Sequence, residues 1–275
     1  MRLAEDLIGT GVPYVMLCGG EPLVVPHWLD LAERLGAGGV QLKIETNGQR
    51  LDPTHLERLA RLPIRSIQVS LDADTQETYA RQRPGGSLAR VHAACRWVRE
   101  AGLPLEVTFA PTRLNIDEAE AVIERAAALG AFRFNTGRLM HIGTAARLWH
   151  RLEPLQEQYD AYRALLERRA PSSPLAGLEL CYTPFSTAEG LLAALREPPA
   201  TLLVLPQGWV KVAAALPHIC ADLRSLTLLD AWDSYRAAWR DEAVVSAAHR
   251  AAEQEMLHSA ANDWIPPRRF GNIPS

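Results

Sequence analysis

Residues 1–150 alternate between two hydrophobic periods, one typical of amphipathic helices and one typical of strands. An apolar face in residues 2–10 predicts a first helix, and the run "YVMLC" at 14–18 predicts the first strand. The later strands are predicted at 40–45, 66–71, 105–110 and 132–136, each preceded by a helical segment. Parallel strands need crossover connections, so this alternation predicts an α/β fold with five parallel strands and right-handed crossovers.

Three helix boundaries can be predicted from capping residues. Asp52 precedes Pro53 in "LDPTHLERLARL", which is typical of a helix that starts at the proline. Ser87 precedes the amphipathic segment "LARVHAACRWVREA", and Gly102 follows it. We therefore expect Ser87 to cap the amino end of this helix and Gly102 to lie just beyond its carboxyl end.

Small polar residues follow the predicted strands. In a barrel-like sheet the carboxyl ends of all strands share one rim, and no G-x-G-x-x-G fingerprint follows any strand to favour a dinucleotide fold. The predicted rim residues are Glu21, Thr46, Asn47, Ser70, Asp72, Thr112, Asn115 and Arg138. Helix capping is an alternative for Asn115 taken alone, but a binding surface explains the collection better.

The pattern changes after about residue 150. A long polar helix runs into the linker "PSSPLAG", and a helix follows near 186–196. The segment "TLLVLPQGWVKV" has two short apolar runs around Pro-Gln-Gly and predicts a β-hairpin. Two helices are predicted at 228–240 and 242–257.

Composition excludes several classes of partner. The chain has 275 residues, 48% of them hydrophobic, and a formal net charge of -3, which is typical of a globular protein. It has no long basic run, so we predict no nucleic-acid partner. It has no apolar stretch of the roughly 20 residues that span a bilayer, and no signal peptide, so we predict no membrane association and a cytoplasmic location. The four cysteines, widely spaced, are expected to be small buried hydrophobic residues.

The stretch "CGGEPL" places two glycines, a glutamate and a proline directly after the first predicted strand. Gly19 and Gly20 have no side chains, so a ligand can lie against the backbone there. Glu21 then offers a carboxylate suited to a ligand ammonium, and Pro22 fixes the turn. A tight turn with a solvated acid is the alternative explanation.

Four segments in this order resemble the radical S-adenosylmethionine (SAM) enzymes. They are "GGEPL", "TNG", "SLDA" with the downstream "RQRPGGS", and "GRLMHIGTA". The chain is most similar to the peptide-modifying group with a C-terminal SPASM or twitch extension, which includes the pyrroloquinoline quinone maturase. The resemblance implies a partial (β/α) barrel of the radical SAM type, with its first strand missing, and a small SPASM/twitch-like α+β extension. It implies domains at 1–150 for the barrel, 151–174 for a connecting helix and linker, and 175–275 for a degenerate extension.

The resemblance also implies a SAM site on the rim. Its residues would be Gly19, Gly20, Glu21, Asn47, Ser70, Asp72, Arg83, Leu139 and Met140. By this resemblance Glu21 binds the amino group, Arg83 meets the carboxylate, and the backbone of Leu139 and Met140 lines the adenine. An amino-acid zwitterion needs both a carboxylate and a cation, so the residue types fit.

The chain departs from the family at its iron–sulfur ligands. The family's C-x-x-x-C-x-x-C loop, which holds a [4Fe-4S] cluster, is absent from this sequence, so we expect an N-terminally truncated protein that does not cleave SAM as it stands. Ala213 occupies the place expected for a cluster cysteine in the extension. Cys181 and Cys220 alone do not make a Cys₄ site.

Three hypotheses follow for the function. The first is SAM-dependent radical modification of a peptide or small molecule. The second is a non-catalytic binding protein that uses the rim to hold a peptide or a partner enzyme. The third is an unrelated barrel lyase or aldolase that uses Lys43 or Glu21, although the sequence reveals no acid or base partnered with Lys43.

Overall fold

The computed structural model describes residues 2–170, 177–253 and 261–265. Contacts divide the chain into two compact units. The first comprises Met1–Gly137 and Glu153–Tyr182, and the second comprises Arg138–Leu152 and Thr183–Ser275, each taken over its described residues. In these described ranges, no helix has the length and apolar character needed to cross a bilayer.

The first unit is an α/β fold built on one parallel sheet. Its six strands lie in the order of the chain. They are β1 (Tyr14–Leu17), β2 (Gln41–Thr46), β3 (Ile64–Ser70), β4 (Leu105–Thr108), β5 (Arg133–Asn135) and β6 (Glu179–Cys181). The helices are α1 (Arg2–Gly9), α2 (Trp28–Ala37), α3 (Pro53–Leu59), α4 (Gln76–Gln82), α5 (Leu88–Glu100), α6 (Ala119–Ala128) and α9 (Gln156–Arg169). Sequential order in a parallel sheet is the arrangement expected of a partial (β/α) barrel.

The predicted helix caps are confirmed. The Asp52 side chain accepts from the backbone N–H of His55 at 3.0 Å, and α3 begins at Pro53. The Ser87 hydroxyl accepts from the N–H of Arg90 at 3.3 Å at the start of α5, and Gly102 follows the end of that helix with φ +72°. These caps fix where the helices return to the sheet.

One face of the sheet forms the core of the first unit. Its side chains alternate with those of the other face along each strand. Fully buried members of this apolar face are Leu42, Ile44, Ile67, Val69, Leu105, Val107 and Phe134. The helices pack on this side: Leu42 clusters with Ala32 and Leu35 of α2.

The second unit contains a small antiparallel sheet. Its strands are β7 (Leu203–Val204), β8 (Trp209–Lys211) and β9 (Ile219–Asp222), and its helices are α7 (Gly143–Arg147), α8 (Trp149–Leu152), α10 (Thr187–Arg196), α11 (Leu228–Ala238) and α12 (Glu242–Glu253). The predicted hairpin is confirmed, since Val204 pairs with Val210 across the turn. The predicted linker residues 171–176 and the predicted helical residues 254–257 lie outside the described residues.

The structure corrects two expectations. The predicted five-stranded sheet was one strand short, because β6 adds beside β5 with Asn135 opposite Cys181. The contact-based units group α9 and β6 with the first unit, and the domain boundaries predicted at 150 and 174 stay a prediction. Cys95 and Cys220 are buried as expected, but Cys18 lies one residue beyond β1 and is exposed.

Candidate functional site

The end of β1 presents an open backbone followed by a fixed carboxylate. Gly19 has φ +125°, which a residue with a side chain rarely adopts, and a Cβ at Gly19 or Gly20 would meet no atom within 4 Å. Glu21 caps the short 3₁₀ helix Pro22–Val24, where its Oε1 accepts from the N–H of Leu23 at 3.2 Å. The glycines therefore leave space beside a carboxylate whose orientation is set locally.

Glu21 is also bound to the end of the neighbouring strand. The Thr46 hydroxyl donates to Oε1 at 2.8 Å, and the backbone N–H of Asn47 donates to Oε2 at 2.7 Å. A carboxylate offers about four acceptor positions, and three hydrogen bonds occupy three of them. Oε2, with one described donor, keeps capacity to accept from a ligand ammonium.

A buried ion pair lies at the end of β3. The Arg83 Nε donates to Asp72 Oδ2 at 2.7 Å, and the N–H of Ala110 donates to Oδ1 at 3.0 Å. The Asp72 side chain is 1% exposed, whereas that of Arg83 is 41% exposed. The buried Asp72 carboxylate therefore holds the Arg83 guanidinium on one side. The exposed part of the Arg83 side chain can contact a ligand.

The loop after α4 positions Arg83. The N–H of Arg83 donates to the carbonyl of Tyr79 at 2.7 Å as α4 ends. Gly86 packs so closely that a Cβ there would lie 2.8 Å from a ring carbon of Tyr79 and 3.1 Å from the carbonyl oxygen of Arg83. The glycine in "RQRPGGS" thus lets the loop fold back on the buried Tyr79 and fixes the Arg83 backbone.

Electrostatics keep Arg83 charged and link it to Glu21. Burial lowers the pKa of the Arg83 guanidinium, but the charge and hydrogen bonds of Asp72 raise it by more, and the net shift is upward. The negative charge of Glu21 makes a smaller contribution to the rise in the Arg83 pKa. The carboxyl edge of the sheet therefore carries an anion after β1 and a cation held at the end of β3.

The other predicted rim residues take different positions. Ser70 ends β3, half-buried and in register with Thr108. The Asn47 side chain accepts from the N–H of Gln49 at 2.9 Å and stabilises its own turn. Leu139 and Met140 belong to the second unit, and their predicted contact with adenine stays a prediction.

Asn115 organises the rim. Its Nδ2 donates to the carbonyl oxygens of Asp72 at 2.8 Å and Ala110 at 3.1 Å. Its Oδ1 accepts from the N–H of Thr112 at 2.6 Å. The residue therefore ties the end of β3 to the end of β4 and keeps Asp72 in place.

The sequence analysis missed a charged cluster on the other face of the sheet. Lys43 Nζ donates to Glu106 Oε2 at 2.8 Å and lies 3.8 Å from Glu45, so the conclusion that Lys43 has no acidic partner was wrong. Asn135 Nδ2 donates to Glu106 at 2.7 Å and to Gln68 at 2.9 Å. The available signal was the polar residue at every second position of "QLKIET", "SIQVS", "LEVT" and "FRFN".

The cysteines do not form a cluster site. Among the residues that the structure describes, no group of three or more His, Cys, Asp or Glu side chains is placed to hold a metal ion. Burial raises the pKa of the Cys95 and Cys220 thiols to about 12, which opposes the thiolate form that iron requires. These thiols do not fit a [4Fe-4S] cluster.

The chain is similar in sequence to one protein family and to several curated proteins. A family model described as the radical SAM superfamily matches residues 1–126. The PqqA peptide cyclase of Granulibacter bethesdensis is 29% identical over 168 residues, or 61% of this chain and 45% of that protein. The mycofactocin maturase MftC of Mycobacterium ulcerans is 32% identical over 196 residues, or 65% of this chain and 53% of that protein. The chain spans about half the length of the curated relatives it matches.

Solved structures share the fold. SuiB of Streptococcus suis bound to SAM superposes with a TM-score of 0.64 at 15% identity, over 84% of this chain and 57% of that chain. SuiB bound to its precursor peptide SuiA superposes with a TM-score of 0.67 at 14% identity, over 89% and 58%. The sequential parallel sheet, the family match and the relatives agree, and residues 1–126 of the chain match the radical SAM superfamily.

Proposed function

We propose that this chain binds SAM at the carboxyl ends of β1 to β4 and takes part in the SAM-dependent modification of a peptide. The observation that carries the proposal is a carboxylate, Glu21, after the end of β1 and a cation, Arg83, held by Asp72 at the end of β3, beside the open backbone of Gly19 and Gly20. The methionine part of SAM carries an ammonium and a carboxylate, and these two side chains are complementary to it.

Each residue has a separate role in this proposal. Glu21 Oε2 accepts a hydrogen bond from the ammonium, and the exposed part of Arg83 binds the carboxylate. Asp72, with both carboxylate oxygens already bonded, acts through Arg83 by holding its guanidinium in place. Ser70 and Asn47 supply short polar groups beside the ribose.

SAM supplies hydrogen-atom abstraction when an iron–sulfur cluster reduces it. The four cysteines of this chain offer no joint site for such a cluster in the described residues. In this proposal the residues of this chain bind and orient SAM.

The substrate class comes from the relatives. One relative is named a PqqA peptide cyclase, and the SuiB structure contains a precursor peptide. We infer that the present chain also acts on a peptide. A small molecule is the alternative substrate class.

Isothermal calorimetry with SAM and the purified chain tests the site. Glu21→Ala should weaken SAM binding by about 1.5 to 3 kcal/mol, the range for a hydrogen bond to a charged group. Glu21→Gln should show most of this loss, because it keeps an acceptor for Leu23 and removes the charge. Glu57→Ala, on the exposed surface of α3, is the matched control and should bind like the wild type.

Two SAM analogues separate the roles of Glu21 and Arg83. Decarboxylated SAM lacks the carboxylate, so Arg83→Ala should weaken SAM and leave the affinity for this analogue nearly unchanged. Methylthioadenosine lacks the whole amino-acid part and should be insensitive to both variants. Equal losses for all three ligands would contradict the assigned contacts, and a wild-type chain that binds peptide but not SAM would favour the non-catalytic alternative.

A further inference from the structure

The face of the sheet opposite the helix-covered core carries a continuous row of polar side chains. The register pairs neighbouring strands residue by residue. The row consists of Glu45 on β2, Gln68 on β3, Glu106 on β4, Arg133 on β5 and Glu179 on β6. One residue from each of five strands therefore points to the same side at the same height.

Such a row is unusual in a parallel sheet. Parallel strands are commonly covered on both faces, and their residues are then apolar nearly throughout. Here Ile44, Ile67 and Leu105, on the helix-covered side, follow that rule, while their neighbours in sequence do not. Buried polar groups without a function cost stability, so the polar side is expected to face water or a ligand.

The charges in the row are neutralised unevenly. Glu106 is paired with Lys43 at 2.8 Å and also accepts from Asn135. Arg133 and Glu179 pair at 2.8 Å. Glu45 differs, because the cation nearest to it in the described residues is Lys43 at 3.8 Å, which is longer than a hydrogen bond and already committed to Glu106.

The surroundings of Glu45 disfavour an uncompensated carboxylate. Burial raises the pKa of Glu45, the charge of Lys43 lowers it, Glu106 raises it, and the amide of Gln68 lowers it, with a net upward shift. The side chain is still 30% exposed, so a ligand can reach it. Lys43 is hydrogen-bonded to Glu106, so a ligand cation could provide the close positive partner that Glu45 lacks.

We propose that Glu45 is a specificity residue that receives a cationic group of the substrate, a primary ammonium or a guanidinium, on the polar face of the sheet. It immediately precedes Thr46, whose hydroxyl binds Glu21, so a substrate held by Glu45 would lie at the same end of β2 as the proposed SAM site. The proposal rests on the proposed function in that the substrate is a peptide; it names lysine, arginine or the amino terminus as the recognised group.

Two blocked tripeptides serve as probes, N-acetyl-Ala-Lys-Ala-amide and its norleucine analogue. Dissociation constants for the full chain would be measured by ligand-observed NMR at low ionic strength. The lysine peptide should bind about five- to tenfold more tightly, as expected for one charge-assisted hydrogen bond in a partly exposed site. Glu45→Gln should abolish this preference.

Glu179→Gln is the matched control, since it removes a carboxylate from the same row that already has Arg133 as its partner. It should keep the preference for lysine. Equal binding of the two peptides to the wild type would overturn the proposal without any variant, as would a preference that Glu45→Gln leaves intact. Glu45→Asp provides a second variant and should keep part of the preference if Glu45→Gln fails to fold.

SAM calorimetry on the same variants separates the two proposals. Glu45→Gln should bind SAM like the wild type, because Glu45 makes none of the contacts assigned to Glu21 and Arg83. Loss of the lysine preference with intact SAM binding would support the role of Glu45. If the wild type keeps the lysine preference but does not bind SAM, the proposed function is contradicted and the cation site at Glu45 is still supported.

Discussion

The two faces of the six-stranded sheet differ although they are made of alternating residues of the same strands. Ile44 is fully buried under the helices, and the side chain of Glu45, the next residue, is 30% exposed on the opposite face. The apolar face gains stability by excluding water. The polar face holds charges in an ordered row, at a cost in stability. Alternate positions of one strand can therefore pack the core on one side and hold polar groups on the other.

The largest expected effect follows from splitting the ion pair on the polar face. Lys43→Met leaves Glu106, whose side chain is 4% exposed, with Arg133 at 3.9 Å as its one described cation, and should lower the free energy of unfolding by about 3 to 5 kcal/mol. Urea denaturation would measure this loss. The double variant Lys43→Met with Glu106→Gln should recover most of it, and two simply additive losses would show that the pair is not coupled.

A deletion on the apolar face should be costly for stability alone. Ile67 is fully buried, so Ile67→Ala should lower the free energy of unfolding by about 2 to 4 kcal/mol. Its side chain points away from the rim contacts, and the folded variant should bind SAM as the wild type does. Calorimetry below the melting temperature checks this, and a clear loss of SAM affinity would mean that the two faces are not separable.

Acid should destabilise the protein through Glu106. Burial raises its pKa, but hydrogen bonds from Lys43 and Asn135 and the charge of Lys43 bring it below the ordinary value of 4.5. A carboxyl whose pKa is lower in the folded state stabilises the fold above pH 4.5, and this stability is lost as the pH falls through the folded value. Between pH 7 and a pH below that ordinary value, urea midpoints should fall less for Glu106→Gln than for the wild type. An equal decline would contradict the assignment.

The smallest effect has the opposite sign. The pKa of Glu45 is raised in the folded state, chiefly by burial. The contribution of Glu45 to the free energy of unfolding is therefore lost as the pH rises through its folded pKa. Glu45→Gln should therefore leave stability unchanged or raise it by up to about 1 kcal/mol at pH 7. Thermal unfolding at pH 7 would measure the change. A marked fall in stability would show that Glu45 is a structural partner of Lys43 rather than a group kept for a ligand.

Local signals in the sequence predicted much of the fold. Asp52 and Ser87 cap the helices they were expected to cap, because an N-cap depends on residues only three positions away. "GGEP" predicted an open backbone with a carboxylate, and the structure has both. The partnership of Asp72 with Arg83 could not be predicted from local signals, since it depends on how the loop after α4 folds back.

Long-range pairing could not be predicted in the same way. Lys43 and Glu106 are 63 positions apart, and only the register of β2, β3 and β4 brings them together. A single-residue slip would have put these charges on the other face. Strand β6 was missed because three residues carry too little periodicity to be recognised.

A crystal structure of the chain with bound SAM would test the central claim most directly. We expect the SAM ammonium within hydrogen-bonding distance of Glu21 Oε2, the SAM carboxylate on Arg83, and the ligand lying over Gly19 and Gly20. SAM bound away from the carboxyl ends of β1 to β4, or with its amino-acid part touching neither Glu21 nor Arg83, would contradict the account.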